Sequence, residues 1–187
     1  MRRLILAFLF GLIPLSGFAM PQPVQLGIAN LPQETGVWCW AAVAQQIIAH
    51  RRGQAHTPQQ CALVAVANGA HPHACCGTYN PACVRTGSLP QIAGLIQMFG
   101  GRSSQYALPA DASALYRTLS NGSPVILHVS TGMMTSHVVV VTGMHYQPMP
   151  WGGVEPMLHI NDPLAHYTQP VPFSQILPIW KDALVVL

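Results

Sequence analysis

The apolar residues of this chain change their spacing near residue 122, and few folds accept that change. Upstream, Trp40, Val43, Ala44, Ile47 and Ile48 recur at i, i+3, i+4, i+7 and i+8, one face of a helix over 39–50. Gln45, Gln46 and His50 fall off that face, and Arg51-Arg52-Gly53 ends it with cations near the carbonyl end and a glycine beyond. Thr57-Pro58 opens a second helix to about Ala67. Ser88 opens a third, holding Ile92, Leu95, Ile96 and Phe99, and Asp111 a fourth, holding Leu115 and Leu119. Downstream, residues 124–130, 137–144 and 157–160 are short β-branched runs broken by Gly, Pro and Asn, which predicts strands. Two more strands are expected at about 167–171 and 183–187, with a short helix at 173–179. Residues 20–37 read as an extended lead-in. Helices first and strands second describe an α+β protein with segregated lobes, and 187 residues make one domain.

The first 19 residues are a separate object. Arg2 and Arg3 precede an apolar run from Leu4 to Leu15, and Gly17 and Ala19 sit three and one before a cut ahead of Met20. This is the pattern of a secretory signal peptide, with 20–187 as the exported domain. The run is shorter than the roughly 20 residues a spanning helix needs, so no membrane association is expected of the mature form. The formal charge of +3 includes Arg2 and Arg3, so the exported form is nearly neutral. No run of Lys or Arg exceeds two, which argues against a nucleic-acid partner.

Export permits disulfides. Five cysteines lie beyond residue 19, and an odd number leaves one thiol over. Four cluster at 61, 75, 76 and 83, and Cys39 stands apart. Adjacent Cys75 and Cys76 would form a strained ring, which leaves Cys61–Cys75 with Cys76–Cys83, or Cys61–Cys76 with Cys75–Cys83. His71, His73, Cys75, Cys76 and Cys83 also form a zinc-ligand set on paper, but their spacing is not that of a zinc site. No metal or other cofactor is expected.

The free thiol at Cys39 opens the first helix, where the macrodipole favours thiolate. Lowering a thiol pKa from about 8.5 to about 4 takes roughly 6 kcal/mol. A helix end supplies about 0.3–2 kcal/mol, so a cation must stand beside the sulfur, and a protonated histidine is the usual one. His137 opens the most apolar strand, Val138 to Val141, and is preferred; His128, in the preceding strand, competes. A third group should orient the imidazole. Asp162 ends the strand at 157–160, with Asn161 as the neighbouring alternative.

Gln33, five residues, then Cys39-Trp40 on a helix resembles the signature of papain-like cysteine peptidases. His137 followed by a β-branched strand and Gly143 resembles that superfamily's His strand, and Asp162-Pro163 is similar to the Cys-His-Asp members, the bacterial C39-like and C70-like (AvrRpt2-type) peptidases. The resemblance covers about residues 31–163. It implies a helical N-terminal lobe packed on an antiparallel sheet lobe. It also implies an oxyanion hole made by Gln33 and the Cys39 amide, and acyl transfer through a thioester on a protein or peptide substrate. Trp38 departs from the Ser or Ala found before the cysteine in papain, and the 98-residue gap from Cys39 to His137 is short of the roughly 130–150 there. No papain-type pro-domain precedes Gln33. Another acyl transfer on the same fold, or a non-catalytic disulfide-stabilised binding protein, would carry the same residues.

Overall fold

The computed structural model describes residues 20–77, 79–132 and 136–187; the expected signal peptide lies outside the described residues. The regular elements run β1 (Val24–Gln25), α1 (Cys39–Arg52), α2 (Gln60–Ala67), α3 (Leu89–Leu95), β2 (Ser104–Ala107) and α4 (Ala112–Ser120). They continue with β3 (Val125–Ser130), β4 (Ser136–Pro148), β5 (Val154–Asn161), β6 (Val171–Pro172), α5 (Phe173–Ile176) and β7 (Trp180–Val186). A π-helical turn, Ile96–Gly100, extends α3. The fold is α+β, with antiparallel strands in the order β2-β7-β3-β4-β5-β6 and β1 added to β4.

The sheet is the wall between two cores. Ile126, Val138, Val140, Leu184 and Val186 face the first core, with Trp40, Val43, Ile47 and Ile48 of α1 and Ile92 and Ile96 of α3 and its extension. The alternate residues Leu127, Val129, Val139, Val141 and Ala183 face the second core, which α4 and α5 cover with Leu115, Leu119, Phe173 and Ile176. A period of two thus sends neighbouring valines of one strand into different cores. This explains why β4 reads as a continuous apolar run rather than an alternating one.

The termini of the elements follow local chemistry. Ser88 accepts from the Gln91 amide while the Gln91 side chain accepts from Ser88 N–H, a capping box. Asp111 caps α4 through the Ala114 N–H. Thr57 does not open α2: its hydroxyl donates back to the Gly53 carbonyl, and the helix begins at Gln60. The lobes are also less separate than the order of elements implies. The lead-in contributes β1, seated on β4 where a Cβ at Gly143 would collide with the Val24 carbonyl and the Gln25 side chain. The turn after α3 contributes β2, which pairs with β7 and is not anticipated from spacing. The strand expected at 167–171 shrinks to Val171–Pro172, because the backbone at 166 and 167 donates to the Asp162 carboxylate instead of to a neighbouring strand.

Candidate active site

Cys39 is the first residue of α1. Trp38 precedes it with no side-chain cap, and no acid lies in the first turn. The positive end of the helix is therefore left unneutralised beside the sulfur. Cys39 is the free cysteine; the other four pair as Cys61–Cys76 and Cys75–Cys83, the second of the two arrangements the sequence leaves open. The thiolates that a zinc site would need are thereby spent.

The two tryptophans around Cys39 fasten this crosslinked loop. Trp38 Nε1 donates to the Cys83 carbonyl at 2.9 Å, and Trp40 Nε1 to the Arg85 carbonyl at 3.2 Å. Both rings are buried, and Gly87 lies so close to the Trp40 ring that a Cβ there would strike it. Each indole thus buries its body and keeps a partner for its N–H. Trp38, the departure from papain, is what anchors the loop to the helix start.

His137 stands one residue into β4, and Asp162 follows β5. The strands pair through Val140–Asn161, which brings the two side chains together. His137 Nε2 lies 2.6 Å from Asp162 Oδ1, and the two side chains are 4% and 0% exposed. Cys39 lies near enough to favour the charged imidazole of His137; with Nε2 engaged by the carboxylate, Nδ1 is the ring nitrogen left for another partner. Burial alone would lower the His137 pKa, but the hydrogen bond to Asp162 and the influence of the Asp162 and Cys39 groups push it up to about 9.

The carboxylate is built into its own loop. Asp162 Oδ1 accepts from Leu164 N–H at 2.8 Å, and Oδ2 from His166 N–H at 2.8 Å and Tyr167 N–H at 3.2 Å. Ala165 has φ +57°, the only non-glycine in the left-handed region among the described residues, and that turn lets N–H groups on both sides of it converge. Burial raises the Asp162 pKa, yet the hydrogen bonds from His137 and from the backbone of Leu164 and His166 outweigh it and hold it below the usual value. Asn161, the alternative orienter, instead donates to the Ile28 carbonyl.

His166, Asp162 and His137 have ligand atoms within 4.8 Å of one another, the one such metal-capable group among the described residues. His137 and Asp162 are in hydrogen-bond contact, while His166 is exposed and 3.9 Å from the carboxylate. A hydrogen-bonded couple with a solvent-facing neighbour describes this geometry.

Gln33 does not line the cavity that Cys39 and His137 share. Its Nε2 donates to the Thr35 carbonyl, and its Oε1 is buried without a partner. Two glutamines hold the lead-in here. Gln46 Nε2 donates to the Asn30 side chain and the Leu31 carbonyl; Gln60 accepts from Glu34 N–H and donates to the Pro32 carbonyl. Both are 1% exposed, so Gln46 is not on a solvent face as its helical position implies. The tie that draws it inward comes from a segment 15 residues upstream, beyond any periodicity.

Cys39 and His137 open into a cavity of about 380 Å³ between the helix start and the sheet. His128 lines the same cavity, with Nδ1 2.8 Å from Asp182 Oδ1, while Asp182 Oδ2 accepts from Tyr106 O–H at 3.0 Å. The competitor histidine thus belongs to a second pair. Asp182 and Tyr106 escape a reading of the sequence, because only sheet pairing across β2, β7 and β3 brings them together.

No curated protein matches the chain. Residues 20–175 match the family model described as papain-like cysteine protease AvrRpt2. That span takes in the thiol-bearing helix, the histidine strand and the aspartate loop, and amounts to most of the sequence. The chain therefore belongs to this family of papain-like cysteine proteases: it is a cysteine peptidase, a hydrolase whose substrate is protein.

Proposed function

We propose that the protein is an exported peptidase in which Cys39 is the nucleophile, His137 the acid and base, and Asp162 the group that orients the imidazole. The observation that carries this reading is that Cys39 and His137 line one cavity while His137 is held by a buried carboxylate with three backbone donors. Two disulfides and a single free thiol support an oxidising destination, periplasmic or extracellular.

The Cys39 thiolate attacks the substrate carbonyl carbon, and the carbonyl electrons move onto oxygen. The Cys39 backbone N–H at the helix start stabilises that oxyanion. Gln33 joins it once its amide turns away from Thr35. His137 Nδ1–H then protonates the departing amine, the C–N bond breaks, and a thioester remains. Water, losing a proton to His137, attacks the thioester and releases the thiolate. Asp162 keeps Nε2–H occupied, so Nδ1 faces the reaction throughout.

The test uses the oxidised protein. Iodoacetamide at mildly acidic pH should label Cys39 alone and abolish casein cleavage, and Cys39→Ala should be inactive. Labelling of Cys39 only at high pH, or a Cys39→Ala protein that still cleaves, would refute the nucleophile.

A further inference from the structure

We propose that His128, Asp182 and Tyr106 form the specificity pocket of this peptidase and select a substrate residue with a cationic side chain close to the scissile bond. This rests on the reading of Cys39 as nucleophile, because it places the selected side chain in the cavity where Cys39 attacks.

The cavity has two kinds of wall. Trp40, Leu89, Pro90 and Val138 make one side apolar, and His128, Asp182 and Tyr106 make a polar face on the neighbouring strands. His128 and Asp182 are direct cross-strand partners between β3 and β7. Tyr106 reaches Asp182 diagonally, since its own partner is Leu184. His128 has Asp182 as its carboxylate partner, and His137 already has its own. The second pair is not needed for proton transfer.

What this face offers a ligand follows from its donors and acceptors. A carboxylate has about four lone-pair sites. One oxygen of Asp182 engages His128 Nδ1 and the other accepts from Tyr106 O–H, which leaves sites on both oxygens. His128 gives its Nδ1–H to Asp182, so the acceptor sites this face keeps are those of the carboxylate. The face therefore calls for donors. Among the described residues no lysine or arginine lines the cavity, so no fixed cation there competes for the open sites of the Asp182 carboxylate. A lysine or arginine side chain matches both walls, laying its methylenes on the apolar side and its donors on the polar side. A glutamate would meet acceptors and a like charge.

The test is a set of internally quenched peptides of one sequence in which each position in turn is Lys, Met, Phe or Glu. At one position Lys should exceed Met in kcat/KM by about tenfold or more, as expected for hydrogen bonds to a charged group, and Glu should fall below Met. Asp182→Asn should bring the Lys-to-Met ratio to within about twofold of one, and Asp182→Glu should retain the preference. The same peptides titrated into Cys39→Ala protein by fluorescence anisotropy should rank in the same order without chemistry. Equal or better use of Met or Phe at every position, or a ratio unmoved by Asp182→Asn, would overturn the pocket. Cleavage by Cys39→Ala would instead overturn the nucleophile, and leaves the ratio readable.

Discussion

The molecule contains the same two side chains in two surroundings. His137 and Asp162 are 4% and 0% exposed; His128 and Asp182 are 31% and 24% exposed, and both histidines face one cavity. The buried carboxylate is held by three backbone N–H groups of its own loop, whereas the open one has a tyrosine hydroxyl. A buried charge must be fully hydrogen-bonded or it costs several kcal/mol, so burial here requires the loop that follows. An exposed ion pair contributes about 0–1 kcal/mol and stays free to exchange partners. Geometry fixed by a rigid backbone suits proton transfer, and a solvated acceptor suits recognition.

The comparison breaks most visibly in the rate. His137→Ala should lower kcat on any peptide by about 10³-fold, within the usual span for a general acid and base. His128→Ala should lower it by less than about tenfold on a substrate with a neutral side chain in the pocket. Equal losses in steady-state assays would mean that the two histidines share the chemistry.

Stability should separate the carboxylates next. Asp162→Asn keeps the shape but exchanges an acceptor for a donor facing the N–H groups of its loop, which should cost about 1–3 kcal/mol in urea unfolding. Asp182→Asn, solvated and facing a hydroxyl that can rotate, should cost less than about 1 kcal/mol.

The pH dependence of the buried pair has a definite sign. The folded His137 pKa, about 9, lies above its ordinary 6.5, so its contribution is complete below 6.5 and is lost as pH rises through about 9. Asp162 is shifted the other way, so its contribution is present above 3.8 and is lost as pH falls through its lower folded value. Urea midpoints should therefore be highest between about pH 4 and 6.5 as far as this pair is concerned. The alkaline limb of kcat/KM should fall near pH 9. A stability difference between wild type and Asp162→Asn that grew from pH 7 to 10 would contradict the assignment.

The sequence is most informative about the buried pair. Cys39 opens a helix visible from its own i, i+3, i+4 spacing, His137 opens the valine run 138–141, and Asp162 ends the shorter apolar run 157–160 before a proline. Each of these signals lies within a few residues of the side chain it identifies. The open pair has no such local sign. Asp182 and Tyr106 are 76 residues apart, and their meeting depends on the register of β2 on β7, which spacing does not encode. Gln33 is similar: its spacing to Cys39 is legible, but its bond to the Thr35 carbonyl belongs to a turn. The disulfide pairing, too, had to come from the fold of the loop rather than from the count of cysteines.

The smallest effect concerns how the buried carboxylate is held. Ala165 occupies φ +57°, a conformation that costs an L-residue about 1–2 kcal/mol relative to its ordinary regions. The Ala165 N–H itself donates to the Asp162 carbonyl at 3.0 Å, and the reversal it makes aims the next two N–H groups at Oδ2. Glycine adopts this φ without the Cβ clash but loses more chain entropy on folding, by roughly 0.5–1 kcal/mol. Ala165→Gly should therefore raise stability by only about 0.5 kcal/mol and leave kcat within about twofold, as read by urea unfolding and peptide hydrolysis. A stability loss above about 1 kcal/mol would mean that the alanine methyl, and not the backbone turn alone, braces the loop around Asp162.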